Sequence, residues 1–158
     1  RDHMLDDVIK NQRYSFHEGF DSWQDSIRAA CQPLIEEGAI ESAYPEYIIE
    51  NVNEFGPYIV IAPDICIPHA QEGKGVNETA ICFMRTKVPV NFGPAAEYEA
   101  RIFFVLASTN NEKHLANLSS LVTLLSDESV VDAFIQANSV ADLEKIMEIE
   151  GEYLGTTN

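Results

Sequence analysis

The chain has 158 residues, of which 46% are apolar, and this suits one domain with a single sizeable core rather than two. Ten Lys and Arg residues stand against 26 Asp and Glu residues, and the net charge of -16 argues against binding to nucleic acid or to an anionic membrane surface. The charge favours a basic protein partner, or it serves only solubility. No apolar run approaches the roughly 18 residues that span a bilayer and no signal peptide is visible, so we expect a cytoplasmic protein.

The cysteines indicate the redox compartment, and the two ends of the chain indicate the limits of the folded domain. Three cysteines lie in apolar runs without CxxC spacing, which is typical of buried thiols in a reducing compartment. Residues 1–3 (Arg1-Asp2-His3) resemble a cloning remnant before Met4. We therefore expect one domain over residues 4–150, followed by a flexible tail over residues 151–158.

Two helices are predicted in the first third of the chain. Ser22 with Asp25 resembles a capping box, apolar residues then recur at helical spacing, and Gly38 is typical of a helix C-terminus. A second helix is predicted with Pro45 in its first turn. Phe55-Gly56-Pro57 ends it.

Strands are predicted in the middle of the chain. Short β-branched runs at residues 58–61 and 65–67 are separated by the turn-like Pro63-Asp64. Residues 79–90 and 100–107 predict two longer strands. The second of these is almost continuously apolar, so we expect it at the centre of a sheet.

Three helices are predicted after the strands: one over residues 112–125, one beginning near Ser126-Asp127, and one capped by Ser139 with Asp142. The first of them has a predicted inward stripe of Leu115, Leu118, Leu121, Val122 and Leu125. Helices, then strands, then helices, without a glycine-rich phosphate loop, predict an α/β fold: a single domain with a mixed β-sheet flanked by helices on both faces.

His69 is the most informative candidate for chemistry, because it lies where an apolar strand runs through Pro68 into the polar segment 71–75. Proline fixes its own φ and favours extended backbone before it, so the next side chain is held at the rim of the sheet. A histidine here has two interpretations, a hydrogen-bonded structural residue or a catalytic group.

His114 is a potential partner of His69, since it lies near the start of a predicted helix that follows the strand at residues 100–107. Such turns lie at the carboxyl edge of a sheet, where ligands commonly bind. Its alternatives are a solvated first-turn residue and a metal ligand, although no Cys or carboxylate has the spacing of a zinc site. We expect no metal and no cofactor.

Phosphoryl transfer fits the two histidines better. A neutral imidazole is nucleophilic near neutral pH and can form a covalent intermediate. Such a site needs in-line access and hydrogen-bond donors more than it needs a general base. His114 and backbone N–H groups at its helix N-terminus could supply these donors.

At these residues the chain resembles the mannitol/fructose-type enzyme IIA family of the sugar phosphotransferase system, and more closely its L-ascorbate branch. Residues 56–70, ending in Ile67-Pro68-His69-Ala70, resemble the family's phosphorylation site. Further matches follow in order at residues 89–93, 106–115 and 125–128. The resemblance covers roughly residues 23–147.

This resemblance implies a phosphotransferase. His69 would accept a phosphoryl group from the phosphohistidine of the phosphocarrier protein HPr and pass it to a cysteine of enzyme IIB. His114 would stabilise the phosphoryl group, and the membrane permease, enzyme IIC, would be an indirect partner. L-Ascorbate, a related acidic sugar or a pentitol is the implied cargo, and a homodimer is compatible with the sequence. The alternative is a regulatory, nitrogen-type binding module that phosphorylation of His69 switches.

Two departures from the family pattern affect the expected site. Asp64 stands where the family often has Gly, so it serves a left-handed turn or places a carboxylate near His69. The mannitol branch has an upstream Arg, whereas residues 50–54 contain none. Lys74 is the one cation expected nearby.

Overall fold

The computed structural model describes the backbone of residues 4–157 and the side chains of residues 4–150. Residues 1–3, the expected cloning remnant, and Asn158 lie outside the described residues. The elements in chain order are α1 (Met4–Lys10), β1 (Tyr14–His17), α2 (Trp23–Glu37), α3 (Tyr44–Phe55), β2 (Val60–Ala62), β3 (Asp64–Cys66), β4 (Ala80–Asn91), a 3-10 turn (Ala96–Tyr98), β5 (Glu99–Ala107), α4 (Asn111–Leu125), α5 (Glu128–Gln136) and α6 (Val140–Thr157).

The five strands form one mixed sheet in the order β1-β4-β5-β3-β2. β1 runs parallel to β4, β4 antiparallel to β5, β5 parallel to β3, and β3 antiparallel to β2. The predicted central position of β5 is confirmed, and its apolar sequence is explained by burial on both faces. Because β3 and β5 are parallel, their carboxyl ends lie at the same edge.

Helices cover both faces of this sheet, as predicted. One core packs α2 and α3 against Cys82, Met84 and Phe103. The other packs α1 and the C-terminal helices against Phe83, Phe104 and other side chains of the opposite face. Neighbouring residues of β4 and β5 contribute to different cores, since successive side chains of a strand point to opposite faces.

The predicted ends of α2 are confirmed. The Ser22 hydroxyl accepts a hydrogen bond from the Asp25 backbone N–H at 3.1 Å. Gly38 follows the helix with a φ of 84°, the left-handed conformation that a residue without Cβ adopts without strain. Pro45 lies in the first turn of α3 as expected.

The predicted inward stripe of α4 is partly wrong. Leu115 and Val122 are 55% and 49% exposed, while Leu121, Leu125 and His114 are buried. The buried stripe of α4 runs instead through His114, Leu121 and Leu125, which lie on one face of the helix. A pattern of apolar residues misses this rotation, because the first buried position is a histidine.

Two N-terminal elements, α1 and β1, were not predicted. β1 is a short edge strand whose four residues are all half-buried, so its polar residues hide the period of a strand. At the other end, the backbone of α6 stays helical through Thr157, where a flexible tail was expected. The flexibility of residues 151–158 stays a prediction. Within residues 4–157, the helices are too short or too polar to cross a bilayer.

Candidate functional site

His69 lies just beyond β3, on a segment that continues the sheet as irregular backbone. The Ile67 N–H donates to the Ile59 carbonyl at 2.8 Å, and the Leu106 N–H donates to the Pro68 carbonyl at 2.9 Å. The pairing of β3 thus continues as far as Pro68, on the β2 side through Ile67 and on the β5 side through Pro68. The strand and its proline place His69 at the sheet edge, as the sequence predicted.

The His69 ring has a defined hydrogen-bonding partner. Its Nδ1 lies 2.6 Å from the backbone carbonyl oxygen of Ile67. A carbonyl oxygen only accepts hydrogen bonds, so Nδ1 carries the hydrogen, and in the neutral ring Nε2 keeps its lone pair. The geometry thus selects Nε2 as the nucleophilic nitrogen.

His114 lies in the first turn of α4 and is brought to His69. Asn110 caps this helix by accepting a hydrogen bond from the Lys113 backbone N–H at 2.9 Å. The two imidazole centroids are 5.3 Å apart. The Ser108 hydroxyl lies 3.4 Å from the Nδ1 of His114. When this hydroxyl donates, the hydrogen of a neutral His114 is on Nε2 and can be donated to a ligand.

A shallow cavity of about 360 Å³ opens over both histidines. It is lined by Asn51, Phe55, Tyr58, His69, Ala70, Gln71, Glu72 and His114. None of these lining residues is Lys or Arg, and Glu72 is a carboxylate. Phe55 is 70% exposed, so the rim also offers apolar surface to a partner.

Burial is the main influence on the protonation of His69. It lowers the pKa of the imidazole, and the neighbouring His114 lowers it further. The hydrogen bond to Ile67 and the Glu72 carboxylate act in the opposite direction. Because the net pKa shift is downward, the ring is neutral and nucleophilic near pH 7.

Asp64 serves the turn at the start of β3, and its carboxylate pairs with Arg101 rather than with His69. Its φ of 72° is in the left-handed region, and its carboxylate forms an ion pair with Arg101 at 2.9 and 3.1 Å. Of the two alternatives for Asp64, the structure supports the turn. Glu72 is instead the carboxylate that acts on His69.

The one cation expected near His69 lies elsewhere. Lys74 lies over the Tyr47 ring, 4.2 Å from its centroid, and does not line the cavity. From the Arg-free stretch 50–54, Asn51 reaches the cavity. Across the part of the chain that the structure describes, no group of three or more His, Cys, Asp or Glu side chains could hold a metal ion.

Sequence reasoning missed three residues of this site: Tyr44, Ser108 and Glu72. The Tyr44 hydroxyl contacts the backbone of both Ala70 and Leu106. A tyrosine on an apolar helix face resembles any other core residue, so no pattern could have indicated this role. Glu72 and Ser108 lie in the two polar segments that follow β3 and β5, and parallel pairing of those strands would have been the signal.

Known proteins resemble this chain over most of its length. Residues 7–149 match the family model described as phosphoenolpyruvate-dependent sugar phosphotransferase system, EIIA 2. The ascorbate-specific PTS system EIIA component of Salmonella choleraesuis (strain SC-B67) is 27% identical over 144 residues, which are 89% of this chain and 94% of that protein.

Two solved structures have the same fold. A chain from Streptococcus pyogenes M1 GAS, assigned as a PTS IIA domain, is 29% identical with a TM-score of 0.81 and covers 94% of this chain and 96% of its own. The complex of enzyme IIAMTL with phosphorylated enzyme IIBMTL from Escherichia coli contains a chain with a TM-score of 0.76 and 22% identity, covering 87% of this chain and 94% of that one. At 22% identity the likeness shows the fold alone.

Proposed function

Because the chain belongs to the EIIA 2 family of the phosphoenolpyruvate-dependent sugar phosphotransferase system, we propose that it carries the phosphoryl group on Nε2 of His69. One observation carries this assignment. The Nδ1 of His69 is bound to the Ile67 carbonyl, which leaves a nucleophilic Nε2 beside His114 in an open cavity.

The proposed donor is the phosphohistidine of the phosphocarrier protein HPr. The Nε2 lone pair of His69 attacks the phosphorus in line with the donor nitrogen. A P–N bond forms to His69, the P–N bond of the donor breaks, and the donor nitrogen keeps the electron pair. Positive charge that develops on the His69 ring is stabilised by the hydrogen bond from Nδ1–H to Ile67.

The second proposed transfer is to a cysteine of enzyme IIB. The thiolate attacks the same phosphorus, a P–S bond forms, and the electron pair of the broken P–N bond returns to Nε2. His114 donates a hydrogen bond to the phosphoryl oxygens in both steps. The protein thus works as a cytoplasmic phosphotransferase with a phosphohistidine intermediate.

The relatives support the proposed cargo and the proposed further partners. The curated protein from Salmonella choleraesuis is named ascorbate-specific, so we assign this chain to uptake of L-ascorbate or a related sugar or pentitol. A IIA chain of similar fold forms a complex with enzyme IIB, which supports enzyme IIB as the acceptor here. Enzyme IIC would receive the phosphoryl group only through IIB.

Phosphotransfer from phosphoenolpyruvate tests the proposal. Wild-type protein is incubated with labelled phosphoenolpyruvate, enzyme I and the phosphocarrier protein, beside His69→Ala and His17→Ala. We expect label on wild type and on His17→Ala and none on His69→Ala. Label that persists on His69→Ala overturns the assignment of the acceptor.

A second arm separates transport from regulation. Labelled protein is mixed with a panel of enzyme IIB proteins, including an ascorbate-type one, and with their Cys→Ser variants. Transfer to the ascorbate-type cysteine supports the proposed pathway. Label that stays on His69 with every enzyme IIB contradicts it and favours the regulatory module.

A further inference from the structure

Two tyrosine hydroxyls hold the same peptide group, the one that joins His69 to Ala70. The Ala70 N–H donates to the Tyr44 hydroxyl at 3.0 Å. The carbonyl of His69 accepts a hydrogen bond from the Tyr58 hydroxyl. The donor and the acceptor of one peptide are thus both occupied by side chains from outside the His69 segment.

Tyr44 ties this peptide to the centre of the sheet. It is fully buried at the start of α3, and its hydroxyl donates to the Leu106 carbonyl at 3.2 Å while it accepts from Ala70. A hydroxyl can do both at once, since it has one hydrogen and two lone pairs. The Leu106 N–H in turn donates to the Pro68 carbonyl, so β5 holds the backbone on both sides of His69.

Tyr58 holds the peptide from the cavity side. Its ring meets the His69 ring edge to face, with centroids 5.2 Å apart. Burial raises the pKa of the Tyr58 hydroxyl, and the neighbouring Asn51 side chain acts in the opposite direction. Tyr58 is 36% exposed, so it lies at the rim while Tyr44 lies in the core.

We propose that Tyr44 and Tyr58 are positioning residues for phosphoryl transfer, which together fix the peptide plane between His69 and Ala70. With that plane fixed, the backbone at His69 holds the position from which the ring Nδ1 reaches the Ile67 carbonyl, and Nε2 stays on the opposite side of the ring. This inference rests on the proposed function of His69. A misplacement of the reacting atom by about 1 Å can cost about 100-fold in rate.

The test uses Tyr44→Phe, Tyr58→Phe and the double variant, each of which keeps the ring and removes the hydroxyl. Tyr47→Phe is the matched control, because Tyr47 lies on the same helix and its hydroxyl makes no hydrogen bond that the described part of the structure shows. Circular dichroism and thermal melting establish that each variant is folded at the assay temperature. Tyr58→Phe is the variant that keeps the test decisive if the buried Tyr44→Phe does not fold.

The kinetic readout is the rate of phosphoryl acceptance from the phosphocarrier protein. We expect kcat to fall about tenfold in each single variant and further in the double variant, as for a misaligned nucleophile. KM for the phosphocarrier should stay unchanged in Tyr44→Phe, because that hydroxyl is buried. Rates within twofold of Tyr47→Phe in every single variant that folds overturn the proposal.

The second readout needs no phosphorylation. Long-range ¹H–¹⁵N NMR spectra of the imidazoles report which nitrogen of His69 carries the hydrogen. Wild type and Tyr47→Phe should show one tautomer, with the hydrogen on Nδ1. Removal of either the Tyr44 or the Tyr58 hydroxyl should introduce the tautomer with the hydrogen on Nε2. If wild-type protein takes up no phosphoryl label in the transfer assay, the proposed function is overturned. The comparison of tautomers then tests separately whether the two tyrosines position the His69 ring. An unchanged His69 spectrum in every single variant that folds overturns the positioning role of the two tyrosines.

Discussion

Two histidines lie at the ends of strands of the same sheet, and their rings have different surroundings. His17 ends β1 and packs on Phe20 with ring centroids 5.1 Å apart, while His69 follows β3 and packs on Tyr58 at 5.2 Å. Burial lowers the pKa of both imidazoles. For His17, burial is the cause of the pKa shift, and its ring makes no hydrogen bond among the described residues.

His69 differs from His17 in its partners. It has the Ile67 carbonyl on Nδ1, a second imidazole 5.3 Å away and a cavity that its side chain lines. A position at a strand end and a lowered pKa are shared by both histidines, so they do not single out His69 as the proposed phosphoryl acceptor. The hydrogen bond on Nδ1 and the neighbouring imidazole of His114 are what distinguish it.

The largest effect on this comparison is expected from removing the donor. His114→Ala should slow phosphoryl acceptance by about 100-fold, the usual cost of losing one donor to a developing anion. His17→Ala should leave the rate unchanged, and rapid-quench labelling measures both. Equal rates for His114→Ala and His17→Ala would mean that the second imidazole is structural, and His69 would then differ from His17 by its own hydrogen bond alone.

Several elements of the fold could be predicted from the sequence, because their local signals were strong. Ser22 and Gly38 gave both ends of α2, and the apolar run of β5 indicated its central position. The segment ending in His69 indicated the rim of the sheet. These features depend on backbone conformation or on burial, and both leave a pattern in a short stretch of sequence.

The features that escaped depend on contacts between distant residues. Tyr44 and Leu106 are 62 positions apart, and Ala70 lies between them in the chain. The Asp64 carboxylate could not be placed from sequence, because its partner Arg101 is 37 positions away. His114 was found by its position after β5, yet its burial was missed because an apolar pattern excludes histidine.

A smaller effect concerns protonation. Since the pKa of His69 lies below its ordinary value, the rate of phosphoryl acceptance should be constant between pH 8 and pH 7 and fall only when the pH drops below about 6.5. Glu72→Gln should lower the pKa of His69 further, because the carboxylate raises it. NMR titration of the His69 ring measures the shift.

Asp64→Asn is the matched control for Glu72→Gln, since both remove one carboxylate near β3. We expect the control to leave the pKa of His69 unchanged, because the Asp64 carboxylate is paired with Arg101. A downward shift of the His69 pKa in Asp64→Asn as large as that in Glu72→Gln would contradict the conclusion that Glu72, and not Asp64, is the carboxylate that acts on His69. His17 should titrate identically in all three proteins, because burial governs its pKa.

The smallest expected effect concerns the turn that leads into the strand before His69. Asp64 has a φ of 72°, which costs an ordinary L-residue about 1–2 kcal/mol but costs glycine almost nothing. Asp64→Gly and Asp64→Ala both lose the ion pair with Arg101, a half-exposed pair worth less than about 1 kcal/mol. The alanine variant should therefore be less stable than the glycine variant by about 1 kcal/mol in urea unfolding, with equal rates of phosphoryl acceptance. Equal stabilities would show that the left-handed turn is not what Asp64 supplies, and a slower Asp64→Gly would place its carboxylate in the environment of His69 after all.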